Sequence, residues 1–167
     1  VVVGAPRNDT VARNAGAAYV VFGPANGTIP LAEANVTMPG EGAGDQAGDA
    51  VASAGDLNND SVDDVLVGAP MNDTAAGNDS GAAYVVFGSS DLAGERNLTD
   101  ADVKLAGAGA GDRAGMAVAS AGSGDVTCDA VADVLVGAPS NDSVAPDAGA
   151  AYLVSGSESL SGTRDLD

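Results

Sequence analysis

The chain has 167 residues, enough for one domain with a modest core, and its 24 acidic and six basic residues give a net charge of −18. A surface of this sign repels polyanions, so we predict no nucleic-acid partner. We interpret the charge as an adaptation to high salt, where the Debye length falls to about 3 Å near 1 M, with an ordinary acidic extracellular domain as the alternative.

We find no targeting or membrane segment in the sequence. No apolar run reaches the ~18 residues that a membrane helix needs, so we predict no direct membrane insertion. No basic and apolar leader opens the chain, so we predict no signal peptide within it. The first residue, Val1, lies in an apolar run, as expected of a processed product or a cut piece. Cys128 is the single cysteine, so it indicates neither a disulfide nor a redox compartment.

The chain repeats itself. An apolar block that ends in Gly-Ala-Pro alternates with a block that begins Gly-Ala-Ala-Tyr, always in the same order. The first block stands at 1–6, 65–70 and 134–139, and the second at 16–23, 81–88 and 149–156. We therefore divide the chain into a first repeat (1–64), a second repeat (65–133), a partial third repeat (134–156) and a polar tail (157–167).

Clusters of Gly, Pro, Asn and Asp separate short apolar segments, which is typical of an all-β chain. The segments are apolar at successive positions, so both faces of each strand should be buried, with Tyr84 and Phe87 on opposite faces. Residues 89–105 could hold one helical turn, but we predict a loop. In the second repeat the four predicted strands are Asp64–Val67, Ala82–Phe87, Val103–Leu105 and Met116–Ala119.

Blades of four antiparallel strands packed between similar blades would bury both faces, so the sequence predicts part of a β-propeller. A propeller has typically 4–8 blades, whereas this chain has about two and a half repeats. The ring is therefore incomplete, and an open stack would leave large apolar faces in water. We expect either the remainder of a larger propeller or a homo-oligomer to cover them.

An Asp-rich loop precedes the apolar block of the second repeat. Its oxygen-bearing residues fall at positions 1, 3, 5, 7 and 9, a spacing that turns successive groups toward one point. Calcium takes about 6–8 oxygen ligands from carboxylates, amides and main-chain carbonyls. The loop resembles the start of an EF-hand, but position 12 is Val67 and a strand follows. The predicted Ca²⁺ ligands are Asp56, Asn58, Asp60, the Val62 carbonyl and Asp64.

A second copy of the loop precedes the third repeat, and we predict that it binds calcium more weakly. It has threonine at position 3 and follows an extra Ser-Gly. Both loops lack glycine at position 6, where Ser61 and Ala130 stand, so a positive φ would cost about 1 kcal/mol. The alternative is that Asp and Asn merely favour turns. The predicted ligands are Asp125, Thr127, Asp129, the Val131 carbonyl and Asp133.

The order of these motifs resembles the FG-GAP repeats of integrin α subunits over about residues 1–156. Phe87-Gly88 with Gly68-Ala69-Pro70 supplies the two motifs, and Phe22-Gly23 with Gly4-Ala5-Pro6 repeats them. The resemblance implies a calcium-stabilised propeller, usually seven-bladed, that serves cell-surface recognition or adhesion. Ser155 replaces the phenylalanine of the third copy, which should weaken the core of that blade.

Eight of the ten asparagines stand in Asn-X-Ser/Thr, a glycan acceptor pattern in secreted proteins. Glycosylation would agree with an exported protein, whereas inherited loop composition is the alternative. At Asn59 a glycan would crowd the predicted calcium loop. The eight are Asn8, Asn26, Asn35, Asn59, Asn72, Asn78, Asn97 and Asn141.

We predict no catalytic centre and therefore no enzyme. Histidine is absent, no Gly-X-Ser-X-Gly segment occurs, and Cys128 has no histidine to activate it. The glycine-rich segments 40–49 and 107–115 lack a nucleotide-binding pattern, and we predict turns between strands there.

The leading hypothesis is a calcium-stabilised propeller segment of an exported, haloarchaeal surface protein that binds a protein or glycan ligand. One alternative is a self-associating structural module of the cell envelope. Another is a non-catalytic propeller attached to an enzyme. The neighbouring sequence of the full gene would distinguish the last of these from the others.

Overall fold

The structure, a computed structural model that describes residues 1–121 and 125–167, is all β apart from two short 3-10 helices. These helices are Leu31–Glu33 and Leu98–Asp100, and the second provides one helical turn in the segment that we predicted as loop. The extra Ser-Gly of the second loop, at 123 and 124, lies outside the described residues. The strands are β1 Val2–Ala5, β2 Ala17–Val20, β3 Val36–Pro39, β4 Val51–Gly55, β5 Asp64–Ala69, β6 Ala82–Val86, β7 Gly94–Glu95, β8 Val103–Gly107, β9 Ala117–Ser120, β10 Asp133–Ala138, β11 Ala150–Ser155 and β12 Gly162–Leu166.

The described strands form three sheets, which we call blades 1, 2 and 3. Blade 1 has the order β1-β2-β3-β7, blade 2 the order β4-β5-β6-β8-β12, and blade 3 the order β9-β10-β11. Neighbours are antiparallel except at the outer edges, where β7 and β12 pair in parallel with β3 and β8. The sheets confirm the predicted all-β class and fit an incomplete propeller segment.

The blades are offset by one strand from the sequence repeats. Strand β4 lies in the first repeat but pairs with β5 of blade 2. Strand β9 matches the predicted strand Met116–Ala119, but it pairs with β10 of blade 3. Strand β12 lies in the segment 157–167, which we described as a polar tail without predicting a strand.

Two apolar cores lie between the blades and use opposite faces of blade 2. The first includes Met38 of blade 1 and Val67 and Tyr84 of blade 2. The second joins Leu66 of blade 2 to Val136 of blade 3. Every residue of β5 and β6 is buried, which confirms the prediction from their continuous apolar sequence. Tyr84 contributes to the first core and Phe87 packs on the second, so they face opposite ways as predicted.

The glycines of the first two Gly-Ala-Pro blocks let neighbouring blades approach closely. A Cβ added to Gly4 of blade 1 would lie 2.0 Å from the carbonyl oxygen of Gly48, in the turn that leads to blade 2. A Cβ added to Gly68 would lie 2.0 Å from the carbonyl oxygen of Gly115. Blade 2 is therefore joined to both neighbours by main-chain contacts that require glycine.

Candidate functional site

The first Asp-rich loop is folded around its own carboxylates. Asp56 accepts hydrogen bonds from the N–H groups of Asp60 and Ser61, at 2.9 and 2.8 Å. Asn58 Oδ1 accepts from the Asp60 N–H at 3.1 Å, and Asp60 Oδ1 accepts from the Val62 N–H at 2.8 Å. Ser61 has φ 71°, which confirms the positive φ expected at position 6. The structure thus brings Asp56, Asn58 and Asp60 together.

Asp64, the predicted ninth position, begins strand β5 and is buried. Its two carboxylate oxygens accept hydrogen bonds from the N–H groups of Leu57 and Gly88, each at 2.8 Å. Leu57 lies within the loop, and Gly88 follows the phenylalanine of the second repeat. Asp64 therefore ties the loop to the end of the neighbouring strand in the same blade.

The second loop repeats this arrangement. Asp125 accepts from the N–H groups of Asp129 and Ala130, at 3.1 and 2.8 Å, and Ala130 has φ 69°. Asp133 is buried and accepts from the N–H groups of Val126, Thr127 and Gly156. The two loops also touch, because the N–H of Ala132 donates to the carbonyl of Asp56 at 3.1 Å.

The donor set of the first loop suits a hard cation. Its polar groups are oxygens of Asp56, Asn58 and Asp60, and each carboxylate oxygen has a second lone pair after accepting one N–H. Within residues 1–121 and 125–167, no group of three or more His, Cys, Asp or Glu side chains is arranged to hold a metal. The predicted set of the first loop contains three aspartates, Asp56, Asp60 and Asp64, and these side chains are not arranged as such a group. Calcium binding at either loop stays a prediction.

The pKa values of the two buried aspartates, Asp64 and Asp133, are shifted in opposite directions although the residues occupy the same repeat position. Burial raises the pKa of Asp64 to about 6; its N–H donors oppose the shift, and the carboxylates of Asp60 and Asp56 add to it. Burial also opposes ionisation of Asp133, but its three main-chain N–H donors outweigh burial and lower the pKa. Ionisation of Asp64 in the folded chain therefore costs free energy, and a cation bound nearby would reduce that cost.

Sequence reasoning missed a polar contact between blades, which we call the clamp. In each clamp, an asparagine that follows the Gly-Ala-Pro block donates a hydrogen bond to an aspartate from the glycine-rich turn of the preceding blade. Asn72 Nδ2 donates to Asp45 at 2.7 Å, and Asn141 Nδ2 donates to Asp112 at 2.6 Å. All four side chains are buried. The signal was in the sequence, because these residues recur at fixed repeat positions.

An ion pair lies beside the first clamp. Lys104, the only lysine, donates to Glu41, which also accepts from Asn72 Nδ2 at 3.2 Å. Burial raises the pKa of Asp45, and the Asn72 hydrogen bond opposes that shift. The turns 40–49 and 107–115, predicted as connections between strands, therefore also carry the groups that join neighbouring blades.

The clamps change the interpretation of the glycan acceptor pattern. Asn72 and Asn141 are each only 3% exposed, and their amide nitrogens already donate to carboxylates. A glycan on either nitrogen would displace the clamp, so we remove both from the predicted acceptors. The acceptors that are exposed in the structure are Asn26, Asn35, Asn59 and Asn78.

Comparison with known proteins agrees with the repeat pattern. Residues 47–86 match the FG-GAP repeat family, a span that covers β4, β5 and β6. Over 98 residues the chain is 37% identical to integrin alpha pat-2 of Caenorhabditis elegans, which covers 59% of this chain. The chain spans only 8% of the length of that relative. No helix in the described part of the chain is long and apolar enough to cross a membrane. Residues 47–86 are thus similar to an FG-GAP repeat, and about three fifths of the chain is similar to part of an integrin α subunit.

Proposed function

We propose that the chain is a calcium-stabilised propeller segment that acts in binding or adhesion at the cell surface rather than in catalysis. The observation that carries the proposal is the FG-GAP match together with the similarity to an integrin α subunit. Adaptation to high salt belongs to the same proposal and is supported by the acidic composition. Export also belongs to it and is supported by the exposed Asn-X-Ser/Thr acceptors. The ligand would be a protein or a glycan.

Calcium would be held by Asp56, Asn58 and Asp60, with the Val62 carbonyl and Asp64 completing the first loop. The second loop would use Asp125, Thr127, Asp129, the Val131 carbonyl and Asp133. The ion would supply positive charge where carboxylates crowd together, and so would oppose their mutual repulsion. The loops themselves position their side chains through the main-chain hydrogen bonds described above.

Calcium binding is tested by thermal unfolding at constant ionic strength, with calcium or with a chelator. We expect calcium to raise the melting temperature and the Asp60→Ala variant to lose most of that rise, because it loses a carboxylate oxygen at position 5. Asp63→Ala is the matched control, since Asp63 is an exposed acid of the same loop and is not a predicted ligand. Equal melting curves with calcium and chelator would contradict the metal assignment.

Adhesion is tested by immobilising the chain and measuring its binding to arrays of extracellular matrix proteins and glycans. Saturable binding that requires calcium is expected if the loops stabilise the ligand-binding surface. The Asp60→Ala variant should bind less at a given calcium concentration, whereas Asp63→Ala should bind like the unmodified chain. Absence of saturable binding in calcium would count against adhesion.

A self-associating structural module remains the second candidate because of one observation. Leu135 and Leu153 of blade 3 are 39% and 44% exposed, whereas their counterparts in blade 2, Leu66 and Val85, are fully buried. An apolar sheet face of this kind is a site for another blade, from the same protein or from a second copy.

A further inference from the structure

The face of blade 1 that points away from blade 2 carries a cavity lined by residues of the repeated motifs. The cavity has a volume of about 510 Å³ and is open to solvent. Its lining is Ala5, Pro6, Arg7, Asn8, Tyr19 and Leu31. The residues at these repeat positions in blade 2 include Asn72, Tyr84 and Leu98, which blade 1 buries.

In blades 2 and 3, the asparagine at this position always meets an acidic turn. Asn72 meets Asp45 of the turn 40–49, and Asn141 meets Asp112 of the turn 107–115. Both turns have the sequence Gly-X-Gly-Ala-Gly-Asp, and in both the aspartate also accepts from the N–H of the second glycine, at 2.9 Å. The aspartate is therefore oriented by its own turn before it meets the asparagine.

Asn8 has the orientation of a clamp residue but has no acidic partner in the part of the chain that the structure describes. Its Nδ2 donates to the Tyr19 hydroxyl at 3.0 Å, as Asn141 Nδ2 donates to Tyr152 at 3.2 Å. Among the hydrogen bonds of the described residues, Asn8 Nδ2 donates to no carboxylate. Arg7 stands beside it, exposed, and the ion pairs of the described residues, Arg96–Asp102 and Lys104–Glu41, do not use it.

We propose that the face formed by Arg7, Asn8, Tyr19 and Leu31 binds the acidic glycine-rich turn of a further repeat unit. The aspartate of that turn accepts from Asn8 Nδ2 and lies close to the Arg7 guanidinium, which is complementary in charge. A second copy of this chain does not fit, because both of its acidic turns are already engaged with Asn72 and Asn141. The occupant is thus a repeat outside this chain that bears a Gly-X-Gly-X-Gly-Asp turn.

The test uses the full chain, labelled with ¹⁵N, and a synthetic peptide with the sequence of residues 39–50, which contains the acidic turn. We expect the side-chain amide signal of Asn8 to shift saturably as peptide is added. A control peptide with Asp45→Asn should bind about fivefold more weakly, because a charged acceptor contributes more than a neutral one. The Asn8→Ala chain should lose the binding, and Asn26→Ala, which changes an exposed asparagine elsewhere, should retain it.

Four results would overturn the proposal. No shift at Asn8, or equal affinity for the two peptides, would show that the face does not recognise a carboxylate. A shift at Asn72 in place of Asn8 would show that the peptide only displaces an existing clamp. A shift at Asn8 that depends on protein concentration without peptide would identify a second copy as the occupant.

Discussion

At the scale of single residues, the two Asp-rich loops are strained at the position where glycine would be expected. Ser61 and Ala130 have φ values of 71° and 69°, a region that costs a side-chain-bearing residue about 1 kcal/mol. The N–H of Ser61 also donates to Asp56, and this hydrogen bond keeps Ser61 in its strained conformation. The positive φ at these two positions therefore lowers the free energy of unfolding of the chain.

Replacing these residues by glycine should stabilise the chain. We expect Ser61→Gly and Ala130→Gly each to raise the free energy of unfolding by about 0.5–1 kcal/mol, because glycine adopts a positive φ without a Cβ clash. Asn59→Gly is the control: Asn59 has φ 60°, but asparagine tolerates this region, so the gain should be smaller. Urea denaturation measures the change, and a loss of stability in Ser61→Gly would contradict the strain assignment.

The opposite pKa shifts of Asp64 and Asp133 predict that their contributions to stability depend on pH in opposite ways. The folded pKa of Asp64, about 6, exceeds its ordinary 3.8, so its contribution to stability is full below about pH 4 and is lost as pH rises through 6. The pKa of Asp133 is lowered, so its contribution is present above the ordinary value and is lost as the pH falls through the folded pKa. The Asp64 effect amounts to at most about 3 kcal/mol.

Urea denaturation between about pH 2 and 7, without calcium, tests this contrast, because the two effects fall on opposite sides of the ordinary aspartate pKa. The Asp64→Asn variant should lose the decline in stability as pH rises, because the titrating group is gone. Asp133→Asn should instead be destabilised by a constant amount above about pH 4, where the native carboxylate accepts three N–H bonds, and should approach the native chain as the pH falls through the lowered pKa of Asp133. Profiles that change in the same direction would contradict the assignment.

At the scale of elements, the glycine of the Gly-Ala-Pro block sets the distance between blades. Gly68 and Gly137 occupy the same repeat position but have different neighbours. An added Cβ would lie 2.0 Å from a main-chain oxygen at Gly68, whereas at Gly137 the nearest atom would be the side chain of Ala117, 3.4 Å away. The difference arises because Gly115, in the turn that leads to blade 3, packs on Gly68, whereas no such turn packs on Gly137 among the described residues.

This difference gives a matched pair of substitutions. Gly68→Ala should lower the free energy of unfolding by about 2–3 kcal/mol, since main-chain atoms must move to admit the methyl group. Gly137→Ala should cost much less, because its neighbour is at an ordinary contact distance. Thermal unfolding of both variants measures the effect, and equal losses would show that the close approach is not limiting.

At the scale of the whole molecule, blade 3 exposes an apolar face that blade 2 does not. If that face drives association, Leu135→Ser with Leu153→Ser should shift sedimentation toward the monomer, because less apolar area would leave water on assembly. Val144→Ser is the control, since Val144 is 91% exposed but lies in the loop between β10 and β11. An unchanged distribution in the double variant would exclude the face as the contact.

The repeat and its alternation of apolar strands with Asp and Gly turns were readable from the sequence. The predicted strand Asp64–Val67 became β5, and Ala82–Phe87 became β6, because continuous apolar runs between turn residues leave few other arrangements. Helical periodicity was absent, so the all-β class followed. The convergence of Asp56, Asn58 and Asp60 was also foreseeable, since alternate residues in a tight loop turn inward.

Only the tertiary structure decided which strands share a sheet and which polar groups meet. Pairing of β4 with β5 and of β9 with β10 crosses the repeat boundaries, and sequence similarity carries no information about hydrogen-bonded neighbours. The sequence predicted Asn72 and Asn141 as glycan acceptors on the surface, but the stacking of the blades buries them against aspartates from the glycine-rich turns. Local sequence fixes the strands and turns of this protein, whereas the contacts between blades depend on residues far apart in the chain.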